Sequence, residues 1–231
     1  MQRSAIPKIA RCSVESSLSL AISQLAVAGR RMPGVVAGGG GFGWDAAGET
    51  PNTHFAYIDT GDVPVIMDVH NLPLKKGVKA DDVYMRRRTK SFLIIECEGG
   101  YYTGGRGGGT AFDAEGKKLQ YFSGDGEIEE IHYSSAWCHL GNISWRLGQS
   151  YNREQAEAAV KDFQPWNDAI ADFHQHLQNN ELDAGKLDIK LGAMLEIDAE
   201  KETFVGDTAT AEALALLKRE YRAGFEVPET V

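Results

Sequence analysis

Cysteine is scarce in this sequence: the 231 residues include three, Cys12, Cys97 and Cys138. Their number is odd, no two of them lie close together, and no Cys-x-x-Cys pair occurs. Paired disulfides and a structural zinc site are therefore not expected. This usage of cysteine favours a reducing compartment, and we expect a cytoplasmic location.

Long apolar runs and an excess of positive charge are also missing. No apolar run approaches the roughly 18 residues that a membrane-spanning helix requires. Lys and Arg number 24 against 33 Asp and Glu, which gives a formal net charge of −9. Because nucleic-acid binding depends on neutralising phosphates, we expect neither nucleic acid nor an anionic membrane as a partner. The basic stretch at 75–90 is expected to be a solvated surface loop, with an anion- or partner-binding patch as the alternative.

Several motifs that carry catalysis or nucleotide binding are absent. The chain has no Gly-x-Ser-x-Gly elbow, no His-Glu-x-x-His pair and no P-loop. The glycine run at 38–43 matches Gly-x-Gly-x-x-Gly, but loop-forming residues follow where the dinucleotide fingerprint requires a helix. We therefore interpret this run as a glycine-rich strand that lets another backbone approach closely. A second glycine-rich stretch, at 99–109, predicts a wide hairpin loop, or alternatively a flexible loop that closes on a ligand.

The composition is that of an ordinary globular protein, with 42% hydrophobic and 25% charged residues. We divide the chain into an N-terminal helical segment at 1–32 and an α+β domain at 33–231. In the N-terminal segment, Leu18, Ile22 and Leu25 fall on one face of an amphipathic helix. A cleaved signal peptide is the alternative interpretation of this segment.

Strands are predicted in the first part of the domain, over about 34–122. Beyond the glycine-rich strand, short β-rich runs predict strands at 53–58, 63–69, 92–98, 101–103, 110–113 and 118–122. The first two of these form a hairpin, and the alternating pattern at 63–69 is typical of a half-buried strand. No helix-length crossover separates the strands, which favours antiparallel pairing.

Helices are predicted in the second part of the domain, over about 132–221. Apolar residues at helical spacing predict helices at 132–147, at 153–178 with a kink at Pro165, and at 210–221. Strands followed by helices indicate an α+β fold. We expect an open, mostly antiparallel sheet with helices packed on one face.

A row of polar residues along the helix at 132–147 is the most suggestive candidate for a site. His132, Ser135, His139, Asn142 and Arg146 follow one another at offsets of three or four, which places them on one side of the helix. Such a row normally faces solvent; the alternative is a polar wall that binds a hydroxylated substrate. His132 and His139 are too widely spaced to share a metal without a third ligand, so no metal site is expected.

The histidines at 174 and 176 lie two positions apart on a predicted helix. Residues two apart point to different faces of a helix, and we interpret both histidines as surface residues.

Three blocks of sequence carry a resemblance to a known family. They are His-Tyr-Ser-Ser-Ala-Trp-Cys-His-Leu-Gly-Asn-Ile-Ser-Trp-Arg-Leu-Gly at 132–148, Gly-Trp-Asp-Ala-Ala-Gly-Glu-Thr-Pro-Asn-Thr at 43–53, and Tyr-Arg-Ala-Gly-Phe-Glu-Val-Pro at 221–228. Together they resemble the C-terminal half of the glucose–fructose oxidoreductase and inositol dehydrogenase-like (Gfo/Idh/MocA) family. The resemblance implies an open antiparallel sheet with flanking helices, a sugar-like substrate, and a homodimer built through the sheet face.

The departures from that family decide the expected function. NAD or NADP is bound there by an N-terminal Rossmann domain, which this chain lacks, so we expect no cofactor in this chain. The family's Glu-Lys-Pro motif is absent as well, and the stretch at 13–29 contains neither Asp nor His. We therefore expect a stand-alone or truncated C-terminal domain that is not catalytic by itself, and whether any enzymatic activity survives stays open.

The substrate-binding residues that we predict are Asp45, Glu49, Asn52, His132, His139, Asn142 and Arg146, with no catalytic residue among them. The expected partners are a second copy of the chain, a separate Rossmann-domain chain and a sugar-like small molecule. Two alternatives remain: a cofactor-independent sugar isomerase or lyase that uses a histidine as base, and a structural or assembly module.

Overall fold

The structure is a computed structural model. It describes residues 7–13, 34–44, 48–61, 63–79, 92–105, 107–123, 128–218 and 221–225.

Twelve strands occur in this described part of the chain. They are β1 (Pro7–Ser13), β2 (Gly34–Gly40), β3 (Thr53–Asp59), β4 (Val65–His70), β5 (Phe92–Cys97), β6 (Gly100–Gly105), β7 (Gly108–Asp113), β8 (Lys118–Ser123), β9 (Gln149–Ser150), β10 (Lys190–Leu191), β11 (Leu195–Asp198) and β12 (Thr203–Phe204). Four α-helices accompany them: α1 (Ile128–Arg146), α2 (Arg153–Ala159), α3 (Gln164–Asn179) and α4 (Ala211–Ala215). Short 3-10 turns lie at Ala184–Lys186 and Gly206–Thr208.

The strands form one sheet, in the order β12-β11-β2-β3-β4-β1-β5-β6-β7-β8, with β10 paired to β2 and β9. Among the pairings of the described strands, β1 with β4 is the parallel one, with Ala10 opposite Val65. β1 also pairs with β5 in the antiparallel sense, so it joins the two parts of the sheet. The predicted α+β class with an open, mostly antiparallel sheet is confirmed, and the predicted strands lie where expected.

One detail of the prediction is wrong: the helices pack on both faces of the sheet. On the α1 face, Val35, Ala37, Ala56, Ile58, Val65 and Met67 pack against Trp137, Leu140 and Ile143. On the opposite α3 face, Val36, Phe55 and Ile66 pack against Trp166, Ile170 and Phe173. Successive residues of a strand point to opposite faces, so each of these strands contributes to both cores.

The α3 face has an aromatic centre. The ring of Phe55 lies 5.2 Å from that of Trp166 and 4.9 Å from that of Phe173, measured between centroids. The indole Nε1 of Trp166 donates a 2.7 Å hydrogen bond to the carbonyl of Ala156, which ties α3 to α2. Edge-to-face contacts of this kind add to the stabilisation that burial provides.

Two helices differ from their predicted lengths. The helix expected at 153–178 is two helices, because Val160 is extended and Asp162 has a φ of 55°. Pro165 therefore lies in the first turn of α3, where a missing N–H costs nothing, and it does not kink a longer helix. The helix expected at 210–221 is α4, Ala211–Ala215, followed by a turn.

The N-terminal assignment is corrected in part. Pro7–Ser13 was placed in a helical segment at 1–32, but it is β1, an inner strand of the sheet. The amphipathic helix predicted around Leu18 and Leu25 lies outside the described residues, as does most of the basic stretch at 75–90. The domain boundary at 32–33 stays a prediction.

The glycine run at 38–43 lies largely in β2 and is packed by its neighbours. A Cβ added at Gly38 would lie 2.6 Å from the ring of Phe55. A Cβ added at Gly39, whose φ is +138°, would lie 2.3 Å from the carbonyl oxygen of Thr53. The interpretation as a strand that admits a close neighbour is confirmed, and these glycines do not form the helix-terminal cradle that a dinucleotide requires.

The second glycine-rich stretch is not a wide loop. Its residues form all of β6 and the first two residues of β7. The two strands pair from Gly100 opposite Asp113 to Gly105 opposite Gly108. The ring of Tyr102 covers two of the glycines, since a Cβ added at Gly104 or Gly109 would lie within 2.7 Å of it. An aromatic ring laid over strand glycines compensates for the side chains that they lack.

The sheet thus has two parts, which we call the centre (β2–β4) and the wing (β5–β8). The residues of β2 are all buried, whereas those of β8 are all exposed. Among the exposed side chains of β8, Leu119 is 61% exposed, Tyr121 56% and Phe122 46%.

Candidate functional site

A cavity of about 670 Å³ lies along one side of α1. Its polar lining residues are Thr50, Ser135, His139, Asn142, Arg146, Glu202 and Thr203. Its apolar lining residues are Ala136, Leu140, Ile143, Ile197, Leu216 and Leu217. The volume lies within the range of small-molecule sites, and a few polar groups on an apolar wall are typical of such sites.

The position of the cavity follows from the periodicity of α1. Leu140 and Ile143 turn one side of the helix into the core of the α1 face. Ser135, His139, Asn142 and Arg146 lie beside them at offsets of four, three and four, so they form one wall of the cavity. The polar row predicted from the sequence therefore faces a concave surface that the C-terminal part of the chain completes.

Arg146 and Glu49, two of the predicted residues, form an ion pair. Nη2 of Arg146 donates to Oε2 of Glu49 across 2.6 Å. The pair connects the last turn of α1 to the loop before β3, next to Thr50. Arg146 also lies where a positive charge complements the negative end of the helix dipole.

The side chain of Asn52, a third predicted residue, is hydrogen-bonded to the backbone. Its Oδ1 accepts a 3.0 Å hydrogen bond from the N–H of Phe42, and its Nδ2 donates across 2.8 Å to the carbonyl of the same residue. Both ends of the amide brace the turn that follows β2. Asn52 is not among the residues that line the cavity.

Two predicted residues cannot be placed at the cavity. Asp45 lies outside the described residues, and of His132 the structure describes the backbone within α1 but not the side chain. His139, Asn142 and Arg146 are brought together, and Glu49 reaches the site through Arg146. The binding role of all seven stays a prediction.

The opposite wall of the cavity was missed by the sequence reasoning. Ile197 belongs to β11, Glu202 to the turn before β12, Thr203 to β12 itself, and Leu216 and Leu217 to the turn after α4. These residues are far from α1 in sequence, and no local pattern connects them to it. Leu216 and Leu217 lie within the helix predicted at 210–221, whose apolar spacing indicates burial but not what these side chains enclose.

A second group of titratable side chains lies within the cores. His54 is 4% exposed, and burial lowers its pKa to about 4 although the charge of Asp68 acts in the opposite direction. His176 is 2% exposed; burial and the neighbouring His70 lower its pKa to about 4. The rings of His70 and His176 meet edge to face at 4.8 Å.

The interpretation of His174 and His176 as surface residues is therefore wrong. His176 is buried, and His174 is half-buried beside Phe173 and Tyr151. The signal was present in the spacing: Ile170, Phe173 and Leu177 are buried in α3, and position 176 continues the same face. A search for apolar residues at helical spacing does not detect His176, because histidine is polar.

The residues at the cavity can recognise a ligand through hydrogen bonds and through the charges of the Arg146–Glu49 pair. Its hydroxyl, imidazole, amide and guanidinium groups donate or accept, and its leucine and isoleucine side chains exclude water from one side of a ligand. Among the described residues, no group of three or more His, Cys, Asp or Glu side chains could hold a metal ion. No helix in the described part of the chain is long and apolar enough to cross a membrane.

Comparison with known proteins gives weak likenesses. No protein-family model matches the chain, and no curated protein matches it. A candidate oxidoreductase from Thermotoga maritima is 14% identical, with a TM-score of 0.34; the match covers 80% of this chain and 55% of that one. The super-repressor mutant of Gal80p from Saccharomyces cerevisiae is 5% identical, with a TM-score of 0.33; the match covers 93% of this chain and 60% of that one.

The chain thus spans less than two thirds of the length of either structure. At these TM-scores the likeness carries no conclusion about function.

Proposed function

We propose that this chain is a binding domain for a hydroxylated, sugar-like small molecule and is not catalytic by itself. In this proposal it is a stand-alone or truncated relative of the C-terminal half of the Gfo/Idh/MocA oxidoreductases. The observation that supports it is the cavity beside α1, where Ser135, His139 and Asn142 form a polar row next to Leu140 and Ile143.

A sugar presents hydroxyl groups around its rim and C–H bonds on its faces. The hydroxyl of Ser135, the imidazole of His139 and the amide of Asn142 can each donate and accept hydrogen bonds. The neighbouring aliphatic side chains offer an apolar surface to a ring face. A site built for hydroxyl groups discriminates strongly against analogues that lack them, because its own polar groups are then left unpaired.

Hydride transfer would require a nicotinamide held against the substrate carbon. The glycine run in β2 does not fit the pyrophosphate of such a cofactor, so in this proposal the nicotinamide is supplied by a separate Rossmann-domain chain. We assign no catalytic step to the residues of the cavity.

The test is calorimetric titration of the chain with a panel of sugars, inositols and sugar acids. We expect saturable binding that weakens about tenfold in Asn142→Ala, because a hydrogen bond to a buried ligand is lost. Gln178→Ala, an exposed substitution on α3 remote from the cavity, is the matched control and should bind as the unmodified chain does. Equal loss in both variants, or binding that survives Asn142→Ala and His139→Ala, would contradict the proposed site.

Turnover of a sugar in the same samples without added nicotinamide would favour the alternative, an isomerase or lyase that uses His139 as base. The exposed position of His139 in the cavity is the observation behind that alternative.

We also propose that the chain forms a homodimer through the open face of the wing. The supporting observation is the apolar surface on one face of the outer strands, where Tyr121 is 56% exposed and Tyr101 stacks on Phe112 at 5.0 Å. Exposed apolar patches of this kind on soluble proteins mark interaction surfaces.

Light scattering after size exclusion tests the dimer. Tyr121→Glu places a charge on the wing and is expected to convert a dimer to a monomer. Gln178→Glu places the same charge on exposed α3 and should leave the dimer intact. A monomer in the unmodified chain at all concentrations, or a dimer insensitive to Tyr121→Glu, would contradict this surface.

A further inference from the structure

The ion pair between Arg146 and Glu49 has unequal members. The side chain of Arg146 is 38% exposed and lines the cavity, whereas that of Glu49 is 83% exposed and is not among the lining residues. The guanidinium therefore belongs to the cavity wall, and its carboxylate partner approaches from solvent.

Such a partner is easily replaced. An ion pair between exposed side chains contributes little, because both groups are well solvated and long side chains lose freedom when they are held in one geometry. A guanidinium, by contrast, is suited to bind a carboxylate or phosphate through paired hydrogen bonds, and it stays charged at every physiological pH. A ligand oxyanion inside the cavity could therefore take the place of the Glu49 carboxylate on Arg146 at a low cost in free energy.

We propose that the cavity selects a hydroxylated ligand that carries one carboxylate or phosphate monoester, and that this oxyanion replaces Glu49 on Arg146. The inference rests on the proposed function, since it specifies the ligand of the same cavity. Glu49 is then the competitor that occupies the anion site in the absence of ligand.

A single guanidinium limits how much negative charge the cavity can pair. Arg146 is the one Lys or Arg side chain among the described residues that line the cavity. The lining therefore matches a ligand with a single oxyanion, whose remaining contacts are made by hydroxyl groups.

The chain contains a matched ion pair that serves as control. Nε of Arg153 lies 2.7 Å from Oε1 of Glu157, with side-chain exposures of 58% and 36%. This pair connects neighbouring turns of α2 and is outside the cavity. Substitutions there remove the same charges without touching the proposed site.

The experiment is calorimetric titration with glucose, glucuronate and glucose 6-phosphate, which share one ring and differ in their anionic group. In Glu49→Gln we expect affinity for the two anions to rise by up to about fivefold while that for glucose is unchanged. In Arg146→Gln we expect the anions to lose about tenfold or more and to bind no better than glucose. Glu157→Gln and Arg153→Gln should leave the affinities for the anions and for glucose unchanged. Comparing the affinities for glucuronate and glucose 6-phosphate shows whether the cavity prefers a carboxylate or a phosphate.

Three results would decide against the inference. If the three probes bind equally and Glu49→Gln changes nothing, the anion site is wrong and the proposed binding of a hydroxylated ligand stands. If Arg146→Gln weakens all three probes equally and lowers the thermal midpoint, Arg146 acts on the fold of α1 and not on the anion. If none of the three probes binds, the inference is overturned, and the panel of sugars, inositols and sugar acids decides separately on the proposed function.

Discussion

The centre and the wing of the sheet use the same antiparallel hairpins but differ in what covers them. Each strand of the centre contributes side chains to two cores, one under α1 and one under α3. The outermost strand of the wing is exposed along its whole length. The difference indicates a division between the two parts: the centre provides most of the stability of the fold, and the wing provides exposed surface.

The largest expected effect comes from removing an aromatic ring from the centre. Phe55 is 1% exposed and contacts Trp166 and Phe173, so Phe55→Ala should lower the free energy of unfolding by about 3–5 kcal/mol. Phe122→Ala removes the same ring from the wing, where it is 46% exposed, and should lower the free energy of unfolding by about 1 kcal/mol. Urea unfolding of both variants, at concentrations where the chain is a monomer, provides the measurement, and similar losses would contradict the division.

The second effect is the response of the centre to acid. His54 and His176 have a folded-state pKa of about 4 against an ordinary value of 6.5, so the unfolded chain binds more protons between these limits. The stability that these two neutral histidines provide is therefore fully present above about pH 6.5. It is lost as the pH decreases towards 4, by up to about 3 kcal/mol for each histidine.

Urea unfolding at a series of pH values tests this response. His176→Leu should reduce the slope of stability against pH over that interval, whatever it does to stability at neutral pH. Gln178→Leu, an exposed substitution on the same helix that removes no titratable group, is the control and should leave the slope unchanged. An unchanged slope in His176→Leu would show that this histidine is protonated as easily in the folded chain as in the unfolded one.

The third and smallest effect compares two glycines. Gly39 in β2 and Gly108 in β7 both have positive φ, and a Cβ at either would lie within 2.3 Å of a carbonyl oxygen on the next strand. Gly39→Ala should cost about 1–3 kcal/mol, because its neighbours are held by helices on both faces. Gly108→Ala should cost less, because β8 is free to move outward.

Thermal or urea unfolding of both variants, with Gly41→Ala as control, checks this order. A Cβ at Gly41 would meet nothing within 4 Å. A larger loss at Gly108 than at Gly39 would mean that the wing is the more rigid part.

The sequence predicted the strands well because their patterns are local. What it did not predict is how the layers combine. The runs Val35-Val36-Ala37 and Val65-Ile66-Met67 are continuously apolar, which is typical of strands buried on both faces. The interpretation of 63–69 as half-buried is wrong, since Val65, Ile66 and Met67 are all buried and their strand has helices on both of its faces. A strand that is buried on both faces has a continuously apolar sequence, whereas a half-buried strand alternates apolar and polar residues. This difference is visible in the sequence.

The candidate site could be predicted for one wall only. The spacing of His139, Asn142 and Arg146 is a property of one helix, and it survives folding unchanged. The wall formed by Ile197, Thr203 and Leu216 depends on contacts between distant parts of the chain. Local periodicity cannot show which segments meet, nor can it show that Asn52 would be held by the backbone of Phe42.

The position of β1 has a consequence for the order in which the chain folds. Pro7–Ser13 precedes both of its sheet neighbours, Val65–His70 and Phe92–Cys97, by many residues along the chain. Pairings so distant in sequence carry a high entropic cost and form late. Centre and wing can therefore each assemble their hairpins first, and the insertion of this one strand turns two local structures into a continuous sheet.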